Sequence, residues 1–172
     1  MKKIILVFCG IISLAVLVFI IASPSPQTKF NVVTIENKFS ISVPEYLTRT
    51  DSLDSSALLQ FKNEKEQLFL IIYEKKDSAS LESFFKKFSD NFISKLENGN
   101  MINYYPEKIN NSNNVLIGNI RGNVNDTKVF YKLAVIKIEN TFYKLLFGVS
   151  ENQRMDYEEE MDKIIKGFRK IS

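Results

Sequence analysis

The chain has 172 residues, 23 of them basic and 20 acidic, for a formal charge of +3, and it contains one cysteine, no histidine and no tryptophan. Without histidine there is no Ser-His-Asp or Cys-His catalysis, and the commonest metal ligand is missing. Removing Lys2 and Lys3 from the basic count leaves 21 against 20 acidic residues, a net balance with no case for nucleic-acid binding, which needs a clustered basic face.

Residues 4–22, IILVFCGIISLAVLVFIIA, carry no charge. As a helix of about 19 residues at 1.5 Å each they reach roughly 28 Å, the thickness of a bilayer's hydrocarbon core. Lys2 and Lys3 precede the run and the next basic residue is Lys29. By the positive-inside rule the N-terminus stays cytoplasmic and the chain beyond Ala22 is exported. The length favours an uncleaved membrane anchor (residues 1–22). Ala22 and Ser23 are small enough for a cleaved signal, which would leave a secreted domain. Cys9 lacks the small preceding residue of a lipoprotein site, because Phe8 stands there.

Residues 23–29, SPSPQTK, form a short stiff linker. The remaining stretch of about 150 residues is the size of one domain with an adequate core. With no cysteine beyond Cys9 that domain has no disulfide, so packing alone must hold it. Residues 30–35 form a first strand. Phe39, Ile41 and Val43 then alternate with Ser40 and Ser42, the period of a half-buried strand, which Pro44 ends. Residues 57–62 and 67–74 flank the charged turn 63–66 as a hairpin.

Ser80 N-caps a helix. Its apolar stripe is Leu81, Phe84, Phe85, Phe88, Phe92, Ile93 and Leu96, and Asn98-Gly99-Asn100 is expected to stop it. Residues 101–109 form a strand whose Pro106 argues for an edge position or a bulge. Residues 110–114, NNSNN, turn the chain into a strand over 115–124. Asn125-Asp126 leads to another over 128–139, and Asn140-Thr141 to a last one over 142–149. A connection this short makes the final pair antiparallel. A closing helix is expected to run from residue 151 or 152 to 170, acidic in its first half and basic in its second, as a helix dipole favours.

Residues 68–73, 129–138 and 142–149 are apolar at nearly every position, so both faces of those strands must be covered. With two helices outside the first segment, the expected α/β (α+β) architecture is an α/β/α sandwich: a mostly antiparallel central sheet with one helix on each face.

The layout over residues 30–171 resembles the PsbP-like fold family. Its opening Phe39-Ser40-Ile41-Ser42-Val43-Pro44 is similar to the family's aromatic-x-aliphatic-x-x-Pro start. Ile164-Ile165-Lys166-Gly167-Phe168 is similar to the family's closing apolar-apolar-x-Ser-Phe. Glu45-Tyr46 stands where the family often has Gly-Trp, and Gly167 where Ser is common. The resemblance implies an α/β/α sandwich over 30–172 and a role in binding protein partners. Family members include extrinsic photosystem II subunits, a Ran-binding nuclear import factor, type VI secretion chaperones and bacterial envelope lipoproteins. None of their functional residues matches a motif here.

Asp156, Glu158, Glu159, Glu160 and Asp162 lack the glycine-turned loop of a calcium site, and no metal, cofactor or catalytic residue is assigned. The candidate partner-binding residues are Tyr104, Tyr105, Asn110 and Asn111, aromatics and polar rim beside the edge strand. The expected function is a non-enzymatic, membrane-tethered extracytoplasmic domain that binds a protein or another envelope component. The alternative is a small-molecule or lipid carrier with a pocket between sheet and helix.

Overall fold

The computed structural model describes residues 28–35, 37–110 and 113–171. Residues 4–22, the expected anchor, lie outside them, as do most of the linker and Asn111. Among the described residues no helix is long and apolar enough to cross a membrane.

The strands are β1 (Phe30–Ile35), β2 (Phe39–Pro44), β3 (Thr48–Arg49), β4 (Leu59–Asn63), β5 (Leu68–Lys76), β6 (Glu97–Ile109), β7 (Asn113–Val124), β8 (Thr127–Ile138), β9 (Thr141–Ser150) and β10 (Arg169–Lys170). The helices are α1 (Leu81–Ile93) and α2 (Arg154–Lys166), the second entered through a single 3-10 turn, Glu151–Gln153.

Seven strands form one sheet in the order β3-β4-β5-β9-β8-β7-β6, and every neighbouring pair is antiparallel. A meander of hairpins runs back from β6 to β9, which docks against β5. Its β7–β8 turn places Asn125 and Asp126 at φ 47° and 63°, the left-handed pair that matches strand twist in a two-residue hairpin. Because β5 and β6 lie on opposite sides of that meander, α1 must cross the sheet face to join them. The fold is α+β, with α1 on one face and α2 on the other.

The sequence dictates this by filling both sides of the central strands. Along β8, Phe130, Ala134 and Ile136 point to the α2 side, while Tyr131, Leu133 and Val135 point to the α1 side. Along β9, Tyr143, Leu145, Phe147 and Val149 oppose Phe142 and Leu146 in the same way. The backbone of Gly148 lies directly under a ring: a Cβ there would sit 2.2 Å from Phe69 Cζ. Only glycine fits that spot.

One charge is fully buried within the apolar pattern among the described residues. Lys132 is 1% exposed and faces α2, where Asp162 and Glu158 receive its ammonium. Arg154 in turn pairs with Glu158 at 2.8 Å and lies over the Phe130 ring at 4.5 Å. Glu159 pairs with Lys163 at 2.9 Å, and Glu160 accepts from the Tyr46 hydroxyl. The acidic run of α2 therefore has individual partners in addition to the helix dipole.

Three expectations change. The first helix ends at Ile93, and residues 98–100 already belong to β6. Asn98, not Gly99, takes the left-handed backbone at φ 52°. Gly99 is needed for closeness, since a Cβ on it would lie 2.5 Å from the Ile93 carbonyl.

The closing helix stops at Lys166, and Arg169–Lys170 pair with Ser40 and Phe39 in a second sheet of order β1-β2-β10. Burial of Phe168 overrides helical propensity there: its ring is inaccessible and stacks on Phe39 at 4.7 Å. The small sheet thus shares the α2 side of the core with the second helix.

The stripe of α1 is also wider than its footprint. Leu81 and Phe85 are buried, whereas Phe84, Phe88, Phe92 and Leu96 are half-buried. Full burial of both stripes would make Phe88 and Phe168 equally costly to truncate. The observed burial predicts that Phe168→Ala costs about 3–5 kcal/mol in urea unfolding and Phe88→Ala roughly half as much. Equal losses would contradict the half-exposed placement of Phe88.

Candidate functional site

The strand that carries Pro106 is the outer edge of the seven-stranded sheet, as its missing N–H implies. β6 pairs with β7 along one side, and no strand pairs with its other side among the described residues. The ladder slips at Glu97/Asn100 and again at Met101/Asn103. Around the second slip two apolar side chains stand out from the edge: Ile102 is 37% exposed and Tyr104 64%.

Tyr104 and Tyr105 point to opposite faces, as alternation requires. Tyr104 leans toward α1, its ring 5.8 Å from Phe85. Tyr105 is half-buried against the α2-side core. Its phenol is raised above the ordinary value first by burial, then by Asp162, Glu107 and Glu158. Asn110 is half-buried and donates through Nδ2 to the Phe168 carbonyl, which ties the end of β6 to the closing segment of the domain. Asn111 lies outside the described residues. The structure therefore brings Tyr104 to an exposed edge, places Tyr105 inward and gives Asn110 a fold-holding contact.

Tyr104 also rims a groove of about 400 Å³ between α1 and the edge of the sheet. Phe85, Met101 and Leu116 form its apolar floor, and Ser89 and Asp90 come from the helix above. The groove exists because Gly118 leaves room under the helix: a Cβ there would meet Phe85 Cζ at 2.7 Å and Met101 Sδ at 3.1 Å. Residues from α1, β6 and β7 line it, so no contiguous stretch of sequence announces it. No group of three or more acidic, cysteine or histidine side chains converges as a metal site among the described residues. The groove can hold an apolar side chain beside an open strand edge, with Glu82, Lys86 and Asp90 of the helix at its rim.

Several other tyrosines are stabilised as neutral phenols. Burial leads the causes for Tyr46, Tyr73, Tyr131 and Tyr143; Glu160 adds to it at Tyr46, and Asp54 at Tyr73, whose hydroxyl it receives at 2.8 Å. Tyr157 is pushed up to about 12, chiefly by burial and then by Glu66.

No protein-family model matches the sequence, and no curated protein does. Solved structures match over nearly the whole chain. The solution structure of PsbP (CyanoP) from Synechocystis sp. PCC 6803 is 9% identical, with a TM-score of 0.67 over 87% of this chain and 97% of that one. The Ran-binding protein Mog1p of Saccharomyces cerevisiae is 9% identical, with a TM-score of 0.59 over 83% and 96%. LpqN, involved in cell envelope biogenesis of Mycobacterium tuberculosis, is 9% identical, with a TM-score of 0.58 over 86% and 93%. The chain has the PsbP-like fold.

The raised phenols set an alkaline limit. Well below pH 10 neither state ionises; as pH passes through about 10 the unfolded chain releases phenolic protons that the folded chain retains. Stability should therefore fall as pH climbs from about 10 through about 12, the folded value at Tyr157. Melting temperatures at pH 9, 10 and 11 test this, and Tyr105→Phe should flatten the decline. A profile that stays level to pH 11 would contradict the assignment.

Proposed function

We propose that this chain is a non-catalytic, membrane-tethered extracytoplasmic domain, and that it binds a protein partner along the β6 edge. The observation that carries the reading is Tyr104, a large aromatic left 64% exposed on an open edge strand and beside an apolar groove. Unpaired backbone groups on such an edge accept a strand from another chain, and alternate side chains of that strand fill neighbouring pockets. Aromatic residues of this kind carry a disproportionate share of interface energy.

The fold relatives support a binding role. One is described as Ran-binding and another as involved in cell envelope biogenesis. The tether rests on residues 4–22 and the lysines before them, which divide the chain into 1–22, 23–29 and 30–172.

Tyr104 is the anchor in this reading. Ile102 extends the contact along the strand, while Tyr105 and Asn110 hold the edge in place from within. Tyr104→Ala should leave the melting temperature unchanged and strongly reduce the yield of copurified partner after crosslinking in intact cells. An undiminished yield would leave the edge without this role. The tether is tested separately. In a bacterial host, protease added to spheroplasts should digest the domain beyond residue 30 while residues 4–22 remain with the membrane. Protection of the domain would reverse the assigned orientation.

A further inference from the structure

The opposite flank of α1 carries a second concavity with a different chemistry. Between α1 and strands β5 and β9 lies a groove of about 420 Å³, within the ordinary size range of small-ligand sites. Lys75 from β5, Lys144 from β9 and Lys87 from α1 converge on it, and Phe84 and Phe88 form its apolar wall. The strand register explains the convergence. Lys144 is paired with Tyr73, and Lys75 with Phe142, so two lysines and two aromatics alternate on one patch of sheet. Phe84 stacks flat on Phe142 at 3.9 Å and closes the patch from above.

Among the described residues no ion pair joins any of the three lysines to a carboxylate, and Asp54 acts on Lys144 only through its charge. Asp77 is the one carboxylate in the lining, where three lysines outnumber it; one of its oxygens accepts from the Ala79 N–H at 3.0 Å. Lys144 is held instead between two rings, its ammonium 4.6 Å from the Tyr73 centroid and 4.2 Å from that of Phe88. Its basicity is lowered first by burial and then by Lys75, with Asp54 pulling the other way. A fold that gathers like charges over aromatic rings keeps an electrostatic cost that a bound anion relieves.

We propose that this groove binds an anionic amphiphile: a phosphate or carboxylate head held by Lys75, Lys87 and Lys144, with the first carbons of its chain against Phe84 and Phe88. The lysine trio selects the charge, and the half-buried phenylalanines account for the apolar portion. Lysine acts here as a point charge on a flexible stem, which suits a tetrahedral or planar anion equally. The site is distinct from the Tyr104 groove, since the two flank α1 on opposite sides, and it stands whether or not β6 binds a partner.

Isothermal titration of the folded domain with octyl phosphate, octanol and inorganic phosphate tests the proposal. One equivalent of octyl phosphate should bind, more tightly than either of the others. Lys87→Gln, on the exposed face of the helix, should weaken it about tenfold, the loss expected for one charge-assisted contact. Lys144→Gln should do at least as much, with the melting temperature confirming that each variant is folded. Octanol binding as tightly would reduce the site to an apolar cleft and overturn the proposal. Inorganic phosphate binding as tightly would overturn the role of the aromatic wall. Absence of binding, or affinity unchanged in both variants, would remove the site altogether.

Discussion

The whole architecture depends on β8 and β9 being apolar on both faces. A strand of that kind cannot lie at a surface, so it demands a layer above and a layer below. α1 supplies one layer. On the other face α2 shares the cover with the small sheet of β1, β2 and β10, whose Phe39, Ile41 and Val43 belong to the same buried cluster. The one fully buried charge on these strands is Lys132, and it shows how the second layer is positioned. An unpaired ammonium in that place would carry a large desolvation cost, so α2 must sit where Asp162 and Glu158 reach it. Hydrophobic contact alone would let a helix slide along the sheet; this charge gives it one address.

Features that depend on neighbours in the chain were legible in the sequence. The alternation at Phe39, Ile41 and Val43, the hairpin turn at Asn125-Asp126 and the cap at Ser80 are local patterns, and each is found where the pattern puts it. Pro106 marked an edge through its own chemistry. The elements that shifted were decided at long range. Gly99 looks like a helix stop but serves a close backbone approach, and residues 169–170 continue a basic helical pattern yet pair with a strand near the start of the domain. The grooves were illegible for the same reason. Lys75, Lys87 and Lys144 are far apart in sequence and become a group only through the register of β5 with β9 and the path of α1.

The path of α1 is also what creates the two grooves on this side of the molecule. A helix that covers the sheet as far as Leu81 and Phe85 but leaves Phe84 and Phe88 partly open creates a concavity along each flank. One flank meets the sheet edge and offers main-chain groups with an aromatic beside them. The other meets the sheet interior and offers concentrated positive charge. Two recognition chemistries can therefore share one helix without sharing residues, and the α2 side is left to hold the fold together.

The pairing of β10 with β2 has a consequence for how the chain acquires its structure. Phe39 meets Phe168, and Lys170 meets Phe39 in the ladder, so this corner of the core joins segments far apart in the sequence. β5 likewise waits for β9. Contacts that close such long loops form slowly, whereas the hairpins β1–β2 and β4–β5 are local. Local hairpins can therefore form first, and the domain becomes one cooperative unit only when β10 reaches β2 and β9 reaches β5.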